Sequence, residues 1–157
     1  MYSSGLRVAE VRFLKYEDVS RSQMRIHVTH GKNRSDRYAL LSSRNLEILS
    51  KYWLAYGKPS NWLFPSTHNN GRPITSTTVQ RFMNDHLKRL GWSQKLNCHS
   101  MRHCFGTHLY ENGVDLLTIR NLLGHKSLNS TTLYVHLASP LHSKIKSPFD
   151  CMGDSHD

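Results

Sequence analysis

The sequence predicts an α+β fold that is mainly α-helical, with one small antiparallel β-sheet, in a single domain. Three observations lead there. The 157 residues are a one-domain length. Strand-period alternation is confined to residues 24–41, where Met24, Ile26 and Val28 alternate with polar neighbours. The rest of the chain shows helical spacing of apolar residues, punctuated by caps and glycines.

Taken in order, Gly5 to Val11 predicts a short helix with apolar Leu6, Val8 and Val11. Met24 to Val28 is a strand, Gly31 to Ser35 a turn, and Tyr38 to Leu41 the returning strand of a hairpin. Ser42 or Ser43 caps a helix running to about Tyr56, whose apolar face is Leu46, Leu49, Trp53 and Leu54. Pro65 to Pro73 reads as a loop. Thr75 or Ser76 caps a helix through Leu90. Further helices are predicted over 99–112, 115–123 and 131–137, and Pro140 suits the start of a last one. The domain is expected over 1–150, with 151–157 a disordered tail.

Composition narrows the function. Lys and Arg total 21 against 11 Asp and Glu, a formal charge of +10. Residues 21–107 alone carry a net +11, interleaved with Trp53, Trp62, Phe82 and Trp92. Such a stretch reads as a polyanion-binding surface, and double-stranded DNA is the expected partner. No segment approaches the ~20 apolar residues that span a bilayer, and no membrane partner is expected. Three cysteines make no disulfide framework, and the expected location is a reducing cytoplasm.

The residues able to do chemistry gather late in the chain. Cys98, His99, His103, Cys104 and His108 fall on one predicted helix. Zinc is disfavoured because no C-x2-C or H-x3-5-H pair has a matching second pair. His99 and Arg102, three apart, share a helix face and suit an anion. Taken singly, Gly124-His125 is a helix C-cap, Tyr134 a core tyrosine, and Arg7 an arginine paired with Glu10.

Taken together they are more specific. Gly5-Leu6-Arg7-Val8-Ala9-Glu10-Val11, then Gly31-Lys32-Asn33-Arg34, His99-Ser100-Met101-Arg102-His103, Leu123-Gly124-His125, and Thr131-Thr132-Leu133-Tyr134-Val135-His136 follow in order. In that order and spacing the chain resembles the catalytic domain of tyrosine recombinases, the phage integrase family, with Xer-like and transposon-borne members nearest. The similarity runs from about Tyr2 to Leu137.

The resemblance implies an integrase-like fold and DNA strand cleavage and rejoining without metal or cofactor. It implies that Tyr134 is the nucleophile, Arg7 and Arg102 the catalytic arginines, and Lys32 the acid for the leaving 5′ oxygen. It further implies that His99 and His125 complete the site and that Glu10 steadies Arg7. It implies a tetramer on DNA, with residues 140–149 docking on a neighbour. Arg34, Arg37, Arg44, Arg72, Arg81, Lys88 and Arg89 are the expected phosphate contacts. Family catalytic domains carry one or two helices before the Gly-Leu-Arg motif and a DNA-clamping domain before those. A chain whose motif starts at Gly5 is therefore expected to lack them. The rival readings are a non-catalytic DNA-binding remnant, a type IB topoisomerase and a zinc-binding module.

The residue types suit the chemistry. Two guanidinium forks bind nonbridging phosphate oxygens bidentately and stay charged at working pH. A tyrosine with an ordinary pKa of about 10 must lose its proton as it attacks. Lysine on a hairpin tip can reach the leaving oxygen. Met101, where leucine or aspartate is commoner, is a volume-conserving change.

Overall fold

A computed structural model describes residues 1–29, 36–59, 61–67, 71–92 and 96–138. The hairpin tip with Lys32 and Arg34, the helix expected from Pro140 and the tail 151–157 lie outside the described residues.

The chain enters through Gly5, whose φ of +62° is open to glycine and closed to most side chains. A Cβ here would lie 2.6 Å from the Phe105 ring and 2.7 Å from Leu123. Gly5 therefore lets the entering backbone press onto the helical core. This turn delays the first helix: α1 is Val8–Arg12, not 5–11. A three-stranded antiparallel sheet follows, β1 (Val19–Ser20), β2 (Arg25–Val28) and β3 (Arg37–Leu40), in the order β1-β2-β3. The two-residue β1 was not expected. The register pairs Ile26 with Ala39 and Val28 with Arg37. Ile26, Val28 and Ala39 are buried, while Tyr38 and Leu40 face out.

Helix α2 (Ser43–Ala55) is capped by Ser42, whose hydroxyl accepts from the Asn45 amide at 3.2 Å. Leu46 and Leu49 pack on the sheet core, and Trp53 stacks on Tyr16 at 4.7 Å. Leu54, expected on the same face, is 59% exposed. Thr75 caps α3 (Ser76–Arg89) and Asn97 caps α4 (Cys98–Glu111). Asp115 caps α5 (Leu116–Leu123), which ends on left-handed Gly124. Helix α6 is Asn129–Leu137. Two apolar cores result. One joins the sheet to Leu6, Leu14, Leu41 and Leu63. The other is Phe105, Ile119, Leu123 and Tyr134, from α4, α5 and α6. The site lies where these two cores meet, because β3 packs on α5.

Candidate active site

Glu10 is the centre of the arrangement. Its side chain is almost fully buried, and three guanidinium groups converge on it. Arg7 Nη1 donates to Oε1 at 2.9 Å, and the Arg7 backbone amide donates to Oε2 at 2.7 Å. Arg37 Nη2 donates to Oε2 at 2.9 Å. Arg102 Nη1 lies 3.8 Å from the same oxygen. One carboxylate thus holds three arginines from three chain segments, and the four groups keep a formal charge of +2. The sequence expectation of an Arg7–Glu10 pair holds, inside a larger cluster.

Arg102 is 1% exposed. Nη1 donates to the Gly5 carbonyl at 2.6 Å and Nη2 to the Leu123 carbonyl. It cross-braces the entry to α1 and the end of α5 while retaining further donors, since guanidinium has five N–H groups. Burial first, then the charge of Arg7, pulls its pKa to about 10, so it stays charged at neutral pH.

Three imidazoles surround the arginines. His99, on the first turn of α4, is exposed, and His103 one turn later meets it edge-on at 4.4 Å. Burial is the largest cause lowering the His99 pKa, followed by Arg102 and Arg7. His125 follows the left-handed Gly124, and its Nδ1 is 2.9 Å from Thr131 Oγ1. Burial, then Arg102 and Arg7, lowers His125 to about 4, so the ring is neutral at working pH. In the tautomer in which Thr131 donates to Nδ1, the proton is on Nε2, which is then a donor for an anion.

Tyr134 is fully buried, and its hydroxyl has no hydrogen-bond partner among the described residues. Its ring lies parallel to His125 at 6.2 Å. Burial raises its pKa, and Arg102 and Arg7 oppose that rise. The ring presses on Gly106 of α4, where an added Cβ would sit 2.5 Å from Tyr134 Cζ. Gly106→Ala is therefore expected to cost about 1–3 kcal/mol through overpacking. A thermal unfolding midpoint equal to the parent protein's would refute that contact.

The Phage integrase family model matches residues 1–140. The integrase/recombinase-like protein y4eF of Sinorhizobium fredii is 42% identical over 153 residues, 96% of this chain and 59% of that protein. A tyrosine recombinase of Pseudothermotoga lettingae is 36% identical over 138 residues, 87% of this chain and 47% of that protein. The chain belongs to the phage integrase family. The crystal structure of XerA recombinase superposes with a TM-score of 0.81 at 26% identity, covering 99% of this chain and 55% of that one. XerH, solved bound to its difH substrate, gives 0.74 at 27% identity over 85% of this chain and 40% of that one. The chain thus spans about half the length of these relatives.

Within this integrase fold, Arg7, His99, Arg102, His125 and Tyr134 lie near one another, with Glu10 among them. Lys32 lies outside the described residues, as does Arg34. Arg44, Arg72, Arg81, Lys88 and Arg89 are exposed. Arg37 differs from the expectation that it contacts phosphate, because its side chain is 8% exposed and turned into the cluster. The interleaved tryptophans also differ from a simple binding face. Trp53 and Trp62 donate their indole N–H groups to the Pro59 and Gly71 carbonyls and pin loops. Trp92 and Phe82 remain exposed.

Sequence reasoning named Arg37 in another role, quoted Thr131 without giving it one, and missed Gly106. Strand parity would have placed Arg37 inward, since it shares a face with Ala39. Among the described residues, no three His, Cys, Asp or Glu side chains converge as metal ligands, and no helix is long and apolar enough to cross a membrane.

Proposed function

We propose that this chain cuts one strand of duplex DNA and rejoins it through a 3′-phosphotyrosyl bond at Tyr134. The observation that carries this reading is the cationic cluster of Arg7, Arg102 and neutral His125 beside the Tyr134 ring. The Tyr134 oxygen attacks phosphorus, the bond to the 5′ oxygen breaks, and Lys32 protonates that oxygen. The phenol proton passes to a neighbouring base, for which His99 is the exposed imidazole. Arg7 and Arg102 neutralise the charge that grows on the nonbridging oxygens, and His125 Nε2 donates a hydrogen bond to it. A 5′-hydroxyl from another strand reverses the step, so the phosphodiester energy is conserved in the linkage. A second copy must bring that strand, which fits the tetramer implied by the family resemblance.

The Tyr134 hydroxyl and the Arg102 guanidinium both lie beneath the surface. Attack therefore requires DNA binding to uncover them, and α6, which carries Tyr134, is the element that has to shift.

The test uses nicked duplexes that lose a short 5′-hydroxyl fragment after cleavage, tiled across the DNA flanking the gene. A denaturation-resistant protein–DNA adduct is expected, and Tyr134→Phe is expected to abolish it. Salt-sensitive DNA binding without any adduct would favour the DNA-binding remnant. Relaxation of supercoiled DNA with no exchange would favour topoisomerase chemistry.

A further inference from the structure

We propose that Arg37 is a positioning residue of the cleavage site: it clamps Glu10 and backs the Gly124 turn, fixing Arg7 and His125 together, without touching DNA. This rests on the strand-cleavage reading above.

The placement begins in the sheet. Arg37 lies opposite Val28 at the start of β3, on the face that also buries Ala39. Its guanidinium reaches under α5 instead of out to solvent. One end donates from Nη2 to Glu10 Oε2 at 2.9 Å. The other lies on Gly124, where a Cβ would stand 2.6 Å from Arg37 Nε and 2.7 Å from Cδ. Gly124 is thus required twice, by its φ of +63° and by the arginine against it. The Gly124 carbonyl in turn accepts from Arg7 Nη2 at 3.2 Å. Arg37 therefore touches both anchors of Arg7, the carboxylate and the turn, and that turn carries His125 on its next residue.

Stability alone does not account for Arg37. Its Nε and Nη1 are buried with no hydrogen-bond partner among the described residues. Leaving buried donors unmatched is costly, and a third cation beside Arg7 and Arg102 adds repulsion. What arginine supplies is a flat, rigid group whose Nε and Cδ lie on Gly124 while its Nη2 reaches Glu10, a shape lysine lacks. The phosphate-contact role is disfavoured by the same burial.

The test compares Arg37→Met and Arg37→Lys in the whole chain by three readouts. In adduct formation on the tiled nicked duplexes, Arg37→Met is expected to be slower by about 10²-fold, the scale of a small misplacement. Arg37→Lys is expected to stay slow despite keeping the charge. For binding of an intact duplex across a salt series, both variants are expected to keep the parent slope, whereas losing a phosphate contact would reduce it by about 1. In an NMR titration of the DNA-free protein, the His125 pKa is expected to rise in Arg37→Met.

A parental cleavage rate in Arg37→Met, or a reduced salt slope, would overturn the proposal. So would full rate in Arg37→Lys, which would reduce the role to charge. If Arg37→Met does not fold, the rate and slope of Arg37→Lys decide. If the parent chain itself forms no adduct, strand cleavage fails as a reading. The salt slope and the His125 titration still decide whether Arg37 is clamped inside the site or bound to phosphate.

Discussion

Arg102→Ala is expected to lose about 3–5 kcal/mol of stability and all strand cleavage. The stability loss follows from what the guanidinium touches. The Gly5 and Leu123 carbonyls each lose a buried donor, and an unmatched buried polar group costs about 1–3 kcal/mol. Glu10 also loses a nearby cation. A domain of this size has about 5–15 kcal/mol in total, so the variant sits close to its folding threshold. Urea unfolding measures this as a lower midpoint at constant slope. Arg102→Lys separates structure from chemistry. A lysine keeps the charge and one of the carbonyl contacts but lacks the fork. It is expected to fold and to form the adduct about 10²–10³-fold more slowly. An Arg102→Ala protein that unfolds at the parent's urea midpoint would show that the cross-brace carries no stability.

The legible parts of this molecule are those set by local chemistry. Ser42, Thr75 and Gly124 mark helix ends because capping needs only a neighbouring amide or a left-handed residue. Arg7 and Glu10 are three apart, so their pairing follows from helical spacing. Tyr134 carries two readings: alone it is a core tyrosine, and in its motif it is the proposed nucleophile. The structure places it in the core, beside the cations. The parts not legible depend on what a distant segment supplies. Arg37 counts as one more positive charge in a basic stretch, and composition cannot tell a buried guanidinium from an exposed one. Its burial is matched by Glu10, 27 residues earlier. Gly106 sits inside a helix, where glycine is disfavoured by about 1 kcal/mol relative to alanine. That was a signal of close approach, but the approaching ring comes from α6. A strand as short as Val19–Ser20 shows no alternation and exists only because Ile26 and Arg25 pair with it.

The pH dependence of the DNA-free protein is expected to run opposite to that of its DNA affinity. His125 has a pKa of about 4 in the folded protein against an ordinary 6.5. The unfolded chain therefore binds more protons at this position in that interval. The stabilising effect is complete above pH 6.5 and is lost as pH falls toward 4. A shift of this size would be worth about 3 kcal/mol if fully realised, and solvent screening of the half-buried ring reduces it to about 1–2 kcal/mol. His99 and His103 are lowered as well, with burial the first cause in each, so they act in the same direction. Urea midpoints are expected to fall between about pH 7 and pH 5, with the fall reduced in His125→Asn. DNA reverses the sign. A phosphodiester beside His125 favours the imidazolium, so binding takes up a proton and affinity is expected to rise about tenfold over the same interval. Duplex binding measured at fixed salt checks this, with His125→Asn losing part of the rise. Equal affinity at both pH values would mean that the bound phosphate does not reach His125. A rise unchanged in His125→Asn would assign the proton uptake to another histidine. Loss of the rise in His125→Asn would place the phosphate against the same imidazole that burial first, and then Arg102 and Arg7, hold neutral in the free protein.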